Sequence, residues 1–108
     1  MDFNSYQQKA AETAIYPVSY AITYPALGLS GEAGEVAEKV KKILRDKNGL
    51  PTPEDKIEIK KELGDVLWYI AALARDFGLS MDDIATANIE KLASRKNRGV
   101  LQGSGDNR

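Results

Sequence analysis

Gly31-Glu32-Ala33-Gly34-Glu35-Val36-Ala37-Glu38 opens the stretch that decides the fold, and Lys39-Val40-Lys41-Lys42-Ile43-Leu44-Arg45-Asp46 continues it. Ala33, Val36, Ala37, Val40, Ile43 and Leu44 recur at three- and four-residue steps, the stripe of a helix with one packing face. The pattern predicts a helix from Ala26 or Ser30 to Asp46, stopped by Asn48-Gly49 and Pro51. Downstream, Thr52-Pro53-Glu54-Asp55 carries a cap, a first-turn proline and a capping-box acid. The helix it starts has the stripe Leu63, Val66, Leu67, Ile70, Ala74 and Phe77, with Gly78 as its stop. Ser80 and Asp83 open another helix, with Leu79 and Ile84 placed as a hydrophobic staple, ending near Lys96. Upstream, a short helix is expected over about Ser5 to Ala14. The two Tyr-Pro steps between Tyr16 and Pro25 predict irregular chain there. Short connections between helices imply an all-α fold, an antiparallel bundle of about four helices. Residues 1–98 read as one domain and 99–108 as a Gly-rich C-terminal tail.

Composition narrows the chemistry. The 108 residues suffice for one domain, and the 15 Lys and Arg nearly cancel the 16 Asp and Glu. That balance leaves no global field for nucleic acid or an anionic membrane. There is no cysteine and no histidine, so thiolate sites, disulfides and imidazole chemistry are excluded. No apolar run approaches the roughly 20 residues that span a bilayer, and no signal-peptide pattern is present. The cytoplasm is the expected location. A chain this small, with several apolar faces and Trp68, is expected to assemble into a homo-oligomer.

Two strings carry candidate chemistry: Glu32-Ala33-Gly34-Glu35 and Glu62-Leu63-Gly64-Asp65. Each places two carboxylates at i and i+3 on one helix face, at the edge of the apolar stripe. Glu35 and Asp65 each lie about 12 residues from the connecting loop, roughly 18 Å along their helices. In an antiparallel pair the four acids fall near one height. Acids gathered there repel unless a cation joins them, and an all-oxygen set suits Mg²⁺, with Mn²⁺ as a substitute. Gly28, Gly31 and Gly34 beside the first pair suggest a close approach to that backbone. Spacing alone is also what a solvated helix face shows, so both readings stand at this level. Di-iron carboxylate bundles need histidine and are excluded.

These residues resemble the MazG-like, all-alpha NTP pyrophosphohydrolases. The family's E-x-x-E, spacer, E-x-x-D pattern reads here as Glu32-x-x-Glu35, 26 residues, then Glu62-x-x-Asp65, followed by Asn88, Lys91 and Arg95 as N-x-x-K-x-x-x-R. The resemblance covers roughly Leu27 to Arg95. It implies that Glu32, Glu35, Glu62 and Asp65 hold Mg²⁺ and serve catalysis. A (d)NTP would be cleaved to (d)NMP and pyrophosphate in control of a nucleotide pool. Lys91 and Arg95 would contact phosphate, and Asn88 and Tyr69 sugar or base. The resemblance also implies dimers or tetramers with sites near subunit boundaries, a dimer of dimers being favoured. Lys91 and Arg95, at i and i+4, can face one ligand.

Other residues are open to two readings. Tyr69 reads equally as a subunit-boundary residue, Trp68 as an oligomer contact, Lys42 as a further phosphate cation, and Glu58 as an outer ligand. Many family members follow the Lys/Arg element with an aromatic-Pro turn, and this chain has Lys96-Asn97-Arg98-Gly99 instead. The polar, Gly-rich tail is expected either to be disordered or to fold across a site, with Arg98 or Arg108 at phosphates. The alternative to an enzyme is a non-catalytic nucleotide sensor or a structural helical oligomer.

Overall fold

The computed structural model describes residues 1–108. It has four helices and no strand: α1 (Phe3–Ala11), α2 (Thr23–Lys47), α3 (Pro53–Asp76) and α4 (Met81–Asn97), with a 3-10 turn at Val18–Tyr20. No helix is long and apolar enough to cross a membrane.

The caps forecast from sequence form. The Asp55 N–H donates to Thr52 Oγ1 at 3.2 Å, and the Thr52 N–H donates to the Asp55 carboxylate at 2.8 Å. Lys47 grips both oxygens of that carboxylate at 2.8 Å, tying the end of α2 to the start of α3. Ser80 Oγ accepts from the Asp83 N–H at the head of α4.

Two starts differ from expectation. α1 begins at Phe3 because Asp2 caps it, accepting the Ser5 N–H at 2.7 Å. α2 begins at Thr23, ahead of Ala26, because Pro25 falls in the first turn, where its missing N–H leaves no bond unmade. Reaching that start puts Ile22 at φ 68°, a conformation that strains a β-branched residue by about 1–3 kcal/mol. The Asp76 carboxylate holds it there, accepting the Ile22 N–H at 2.9 Å and the Tyr16 hydroxyl at 2.8 Å.

α2 and α3 form an antiparallel pair, as the partners Lys47–Asp55 and Lys39–Glu62 show. α1 lies on α3, and Ala10, Ala71, Ala74 and Met81 make the small core, flanked by Tyr6, Leu67, Trp68 and Ile70. α1 also fixes the head of α4. Gln7 accepts the Met81 N–H and donates to the Leu79 carbonyl, and Asn4 accepts from Ser80 and Asp82. Beyond its first turn, α4 stands away from the α2–α3 pair.

The four-way packing expected of a bundle is therefore not formed within one chain. The radius of gyration is 16.7 Å, against about 13 Å for a compact domain of this length. Much of the expected stripes stays open, with Leu44 69 % and Leu63 53 % exposed.

Asp55 makes the hairpin sensitive to acid. The Lys47 ammonium and then the Thr52 N–H hold its carboxyl down at about 2, below the ordinary 3.8. A lowered acid contributes stability above its unfolded value and loses it as pH falls through the folded one. Urea denaturation should therefore show Asp55→Asn less stable than wild type at neutral pH, with the gap closing as pH drops from 3.8 to about 2. A constant gap would assign the effect to packing.

Candidate active site

The pairing of α2 with α3 sets Glu32 of one helix against Glu62 and Asp65 of the other. Carboxylate oxygens of these three all lie within 4.8 Å of one another. Glu32 and Glu62 are half-buried and Asp65 is exposed. Lys39 is the cation that reaches them, with its Nζ 3.7 Å from Glu62. Burial first, then contact with Glu62 and the charges of Asp65 and Glu35, push the Glu32 carboxyl above its ordinary range. Three hard oxygen donors at this spacing can hold a divalent cation. Glu35 is exposed and lies outside the three-way group, although Glu32 feels its charge.

Beside the acids is an open cavity of about 340 Å³ lined by Thr13, Glu32, Asp65, Trp68 and Tyr69. Gly28 explains how Tyr69 gets there. A Cβ on Gly28 would lie 2.1 Å from the Tyr69 ring, so only glycine lets the ring cross the α2 backbone. A Cβ on Gly31 or Gly34 would meet no other part of the chain within 4 Å, so of the three glycines one answers the expected close approach, and the approaching group is the chain's own tyrosine.

Trp68 meets Tyr69 edge-on at 5.0 Å, and its indole N–H donates to the Thr13 hydroxyl at 2.8 Å. Trp68, read from the sequence as an oligomer contact, lines the acid cavity of its own chain; its i, i+3 spacing from Asp65 is the signal that could have placed it there. Tyr24 stacks on Tyr16 at 4.8 Å and lies 6.3 Å from Tyr69. Burial, the Tyr24 hydroxyl and the negative charge of Glu32 and Asp65 raise the Tyr69 phenol. Tyr6 is raised by burial and by Asp65. Thr13 and Tyr6 arrive from α1 and its exit, and nothing in their local sequence marks them.

The remaining candidates lie elsewhere in the single chain. Lys42 pairs with Glu38 at 4.0 Å and faces a separate, charged cavity near the α2–α3 turn, which Glu58 also lines. Glu58 is paired with Lys61. Asn88 is exposed on α4. Lys91 and Arg95, on the same helix, are both bound to Asp106.

Residues 23–100 match the family model described as the MazG nucleotide pyrophosphohydrolase domain. The chain belongs to the MazG family. This MazG chain is 49 % identical to the "Gene 37 protein" of Mycobacterium phage L5, with both chains covered in full. It is 40 % identical to the "Uncharacterized protein YvdC" of Bacillus subtilis (strain 168), over 62 % of this chain and 68 % of that one. No solved structure matches it. The acid motifs, Tyr69, Asn88, Lys91 and Arg95 all fall within the matched residues.

Crowded carboxylates make stability depend on whatever neutralises them. The raised Glu32 pKa means that ionising this group disfavours the folded state, so the metal-free protein should weaken as pH rises through that value. At neutral pH, Mg²⁺ should raise the melting temperature by mass action. Asp65→Asn should melt higher than wild type without metal and gain less from Mg²⁺. A wild-type melting temperature indifferent to Mg²⁺ would leave the acids as a solvated edge.

Proposed function

We propose that this MazG chain is a Mg²⁺-dependent nucleoside triphosphate pyrophosphohydrolase that converts a (d)NTP to the (d)NMP and pyrophosphate in control of a nucleotide pool, with Mn²⁺ as a substitute ion. The observation that carries this reading is the convergence of Glu32, Glu62 and Asp65 across two helices. Repelling groups brought together by packing are what a polyphosphate–metal site requires.

Glu32, Glu62 and Asp65 would hold the ion. When bound, it would neutralise phosphate oxygens and polarise the scissile anhydride. Water attacks the α-phosphorus and the bond from that phosphorus to the α–β bridging oxygen breaks. The water oxygen stays on the monophosphate, and pyrophosphate leaves with the bridging oxygen. Glu35, exposed one turn from Glu32, takes the water's proton in this scheme. Positioning and charge neutralisation carry most of phosphoryl transfer, so the absence of histidine is no obstacle.

Tyr69 and Trp68 form the wall for the base. The Trp68 N–H is occupied by Thr13, which leaves its ring face for stacking. Lys91 and Arg95 supply phosphate contacts, Asn88 a sugar contact, and Lys42 is a more distant cation on α2. Because α4 stands off its own acids, these contacts come from α4 of the partner subunit, in a homo-oligomer built as a dimer of dimers. The open apolar positions Leu44, Leu63 and Ile89 support such an assembly.

Incubation with a panel of NTPs and dNTPs should give monophosphate and pyrophosphate only with Mg²⁺. Glu35→Gln should lower kcat by at least about 100-fold while keeping Mg²⁺ stabilisation. Trp68 is the sole tryptophan, so substrate in the same titrations should quench its emission, and inorganic pyrophosphate should not. Diphosphate and orthophosphate as products would reject the assigned bond, and Mg²⁺-dependent binding without turnover would favour a sensor.

A shared site makes its own prediction. Lys91→Ala and Glu62→Gln proteins, each inactive, should recover activity when subunits are exchanged, to about a quarter of the wild-type sites in a two-fold dimer. No recovery despite exchange would place the whole site in one chain.

A further inference from the structure

After α4 the chain doubles back on the helix it has just left. Gly103 at φ 118° and Gly105 at φ 87° allow the tight path. Arg108 locks it, its guanidinium donating to the carbonyls of Val100, Leu101 and Gly105 at 3.1, 2.9 and 2.7 Å. Arg98 donates to the Arg108 carbonyl at 2.6 Å. Arg98 and Arg108, expected at phosphates, are thus spent on the loop itself.

What the loop delivers is Asp106. One of its carboxylate oxygens takes Lys91 at 3.0 Å and Arg95 at 3.2 Å, and its backbone carbonyl accepts from the same Arg95 nitrogen. The side chain of Arg95 is left 7 % exposed, whereas that of Asp106 is 79 % exposed. Between Lys91 and Arg108 the chain has five cationic side chains, Lys91, Arg95, Lys96, Arg98 and Arg108, and Asp106 is the one acidic side chain.

We infer that residues 99–108 are a latch in which Asp106 stands in for a substrate phosphate on Lys91 and Arg95, and that nucleotide must displace it. The inference rests on the proposed role of those two cations. Carboxylate and phosphate compete for the same ammonium and guanidinium donors. An exposed carboxylate gains little from such pairs, so a polyphosphate carrying several charges outcompetes it. Arg95 meets no external anion until the loop lifts, because the loop is what buries it. The latch therefore keeps the cations together and occupied until a polyanion arrives, and weakens apparent affinity by the fraction of time it is closed.

The full chain carrying Asp106→Asn tests this. The variant removes the charge at an exposed position and keeps the side chain's size and the backbone acceptor. KM for the nucleotide, and the Kd for inorganic pyrophosphate with Mg²⁺, should fall by about tenfold if the latch is closed nine-tenths of the time, with kcat little changed. In wild type, Mg²⁺–pyrophosphate should speed amide hydrogen exchange in residues 100–108. If Asp106 instead positions the cations for substrate, KM rises in the variant and pyrophosphate slows that exchange. Either result, or an unchanged KM, in a protein that still hydrolyses nucleotide overturns the latch alone. A wild type that neither turns over nucleotide nor binds pyrophosphate overturns the latch together with the functional reading.

Discussion

The fastening of α2 to α3 at their turn is the constraint on which the rest of this molecule depends. Glu32, Glu62 and Asp65 are held together only because α2 and α3 are fastened elsewhere. Lys47 and the Thr52–Asp55 cap lock the hairpin turn, and Ile43 is buried in the pair. The attraction at the turn end holds in place the unfavourable arrangement farther along, with Lys39 as the partial counter-charge. Such local conflict costs the fold stability, and Lys39 offsets it only in part.

The aromatic wall depends on a second set of constraints. Tyr69 crosses α2 only at Gly28, and Trp68 is oriented by Thr13 at the exit of α1. Tyr16 and Tyr24 back this wall from the irregular segment before α2. That segment is pinned by Asp76, whose carboxylate takes both the Tyr16 hydroxyl and the N–H of the strained Ile22. A carboxylate at the far end of α3 thereby supports the aromatic face that borders the acids.

The motif charges are divided between two parts of the chain. The acids sit on the α2–α3 pair, and the cations of the N-x-x-K-x-x-x-R element sit on an arm that α1 aims away from them. The arm's cations are meanwhile satisfied by Asp106. Open apolar faces accompany this separation, as expected where one small chain has too little core to close on itself.

Much was legible in the sequence. Helix content followed from stripe periodicity, the cap at Thr52 and the stop at Gly78 from local chemistry, and the pairing of acids from i, i+3 spacing. These are short-range properties, set by bonds and contacts within a few residues. The meeting of Glu32 with Glu62 and Asp65, the exclusion of Glu35 from their group and the ring over Gly28 depend on how two helices rotate about each other, which periodicity does not specify. Likewise, Ser80 announced where α4 begins, but only Asn4 and Gln7, more than 70 residues away, set its direction. The sequence by itself determined which helices form and which residue types they carry. Tertiary structure decided which of those residues meet, because long-range packing, unlike a cap or a stripe, is a property of the whole chain.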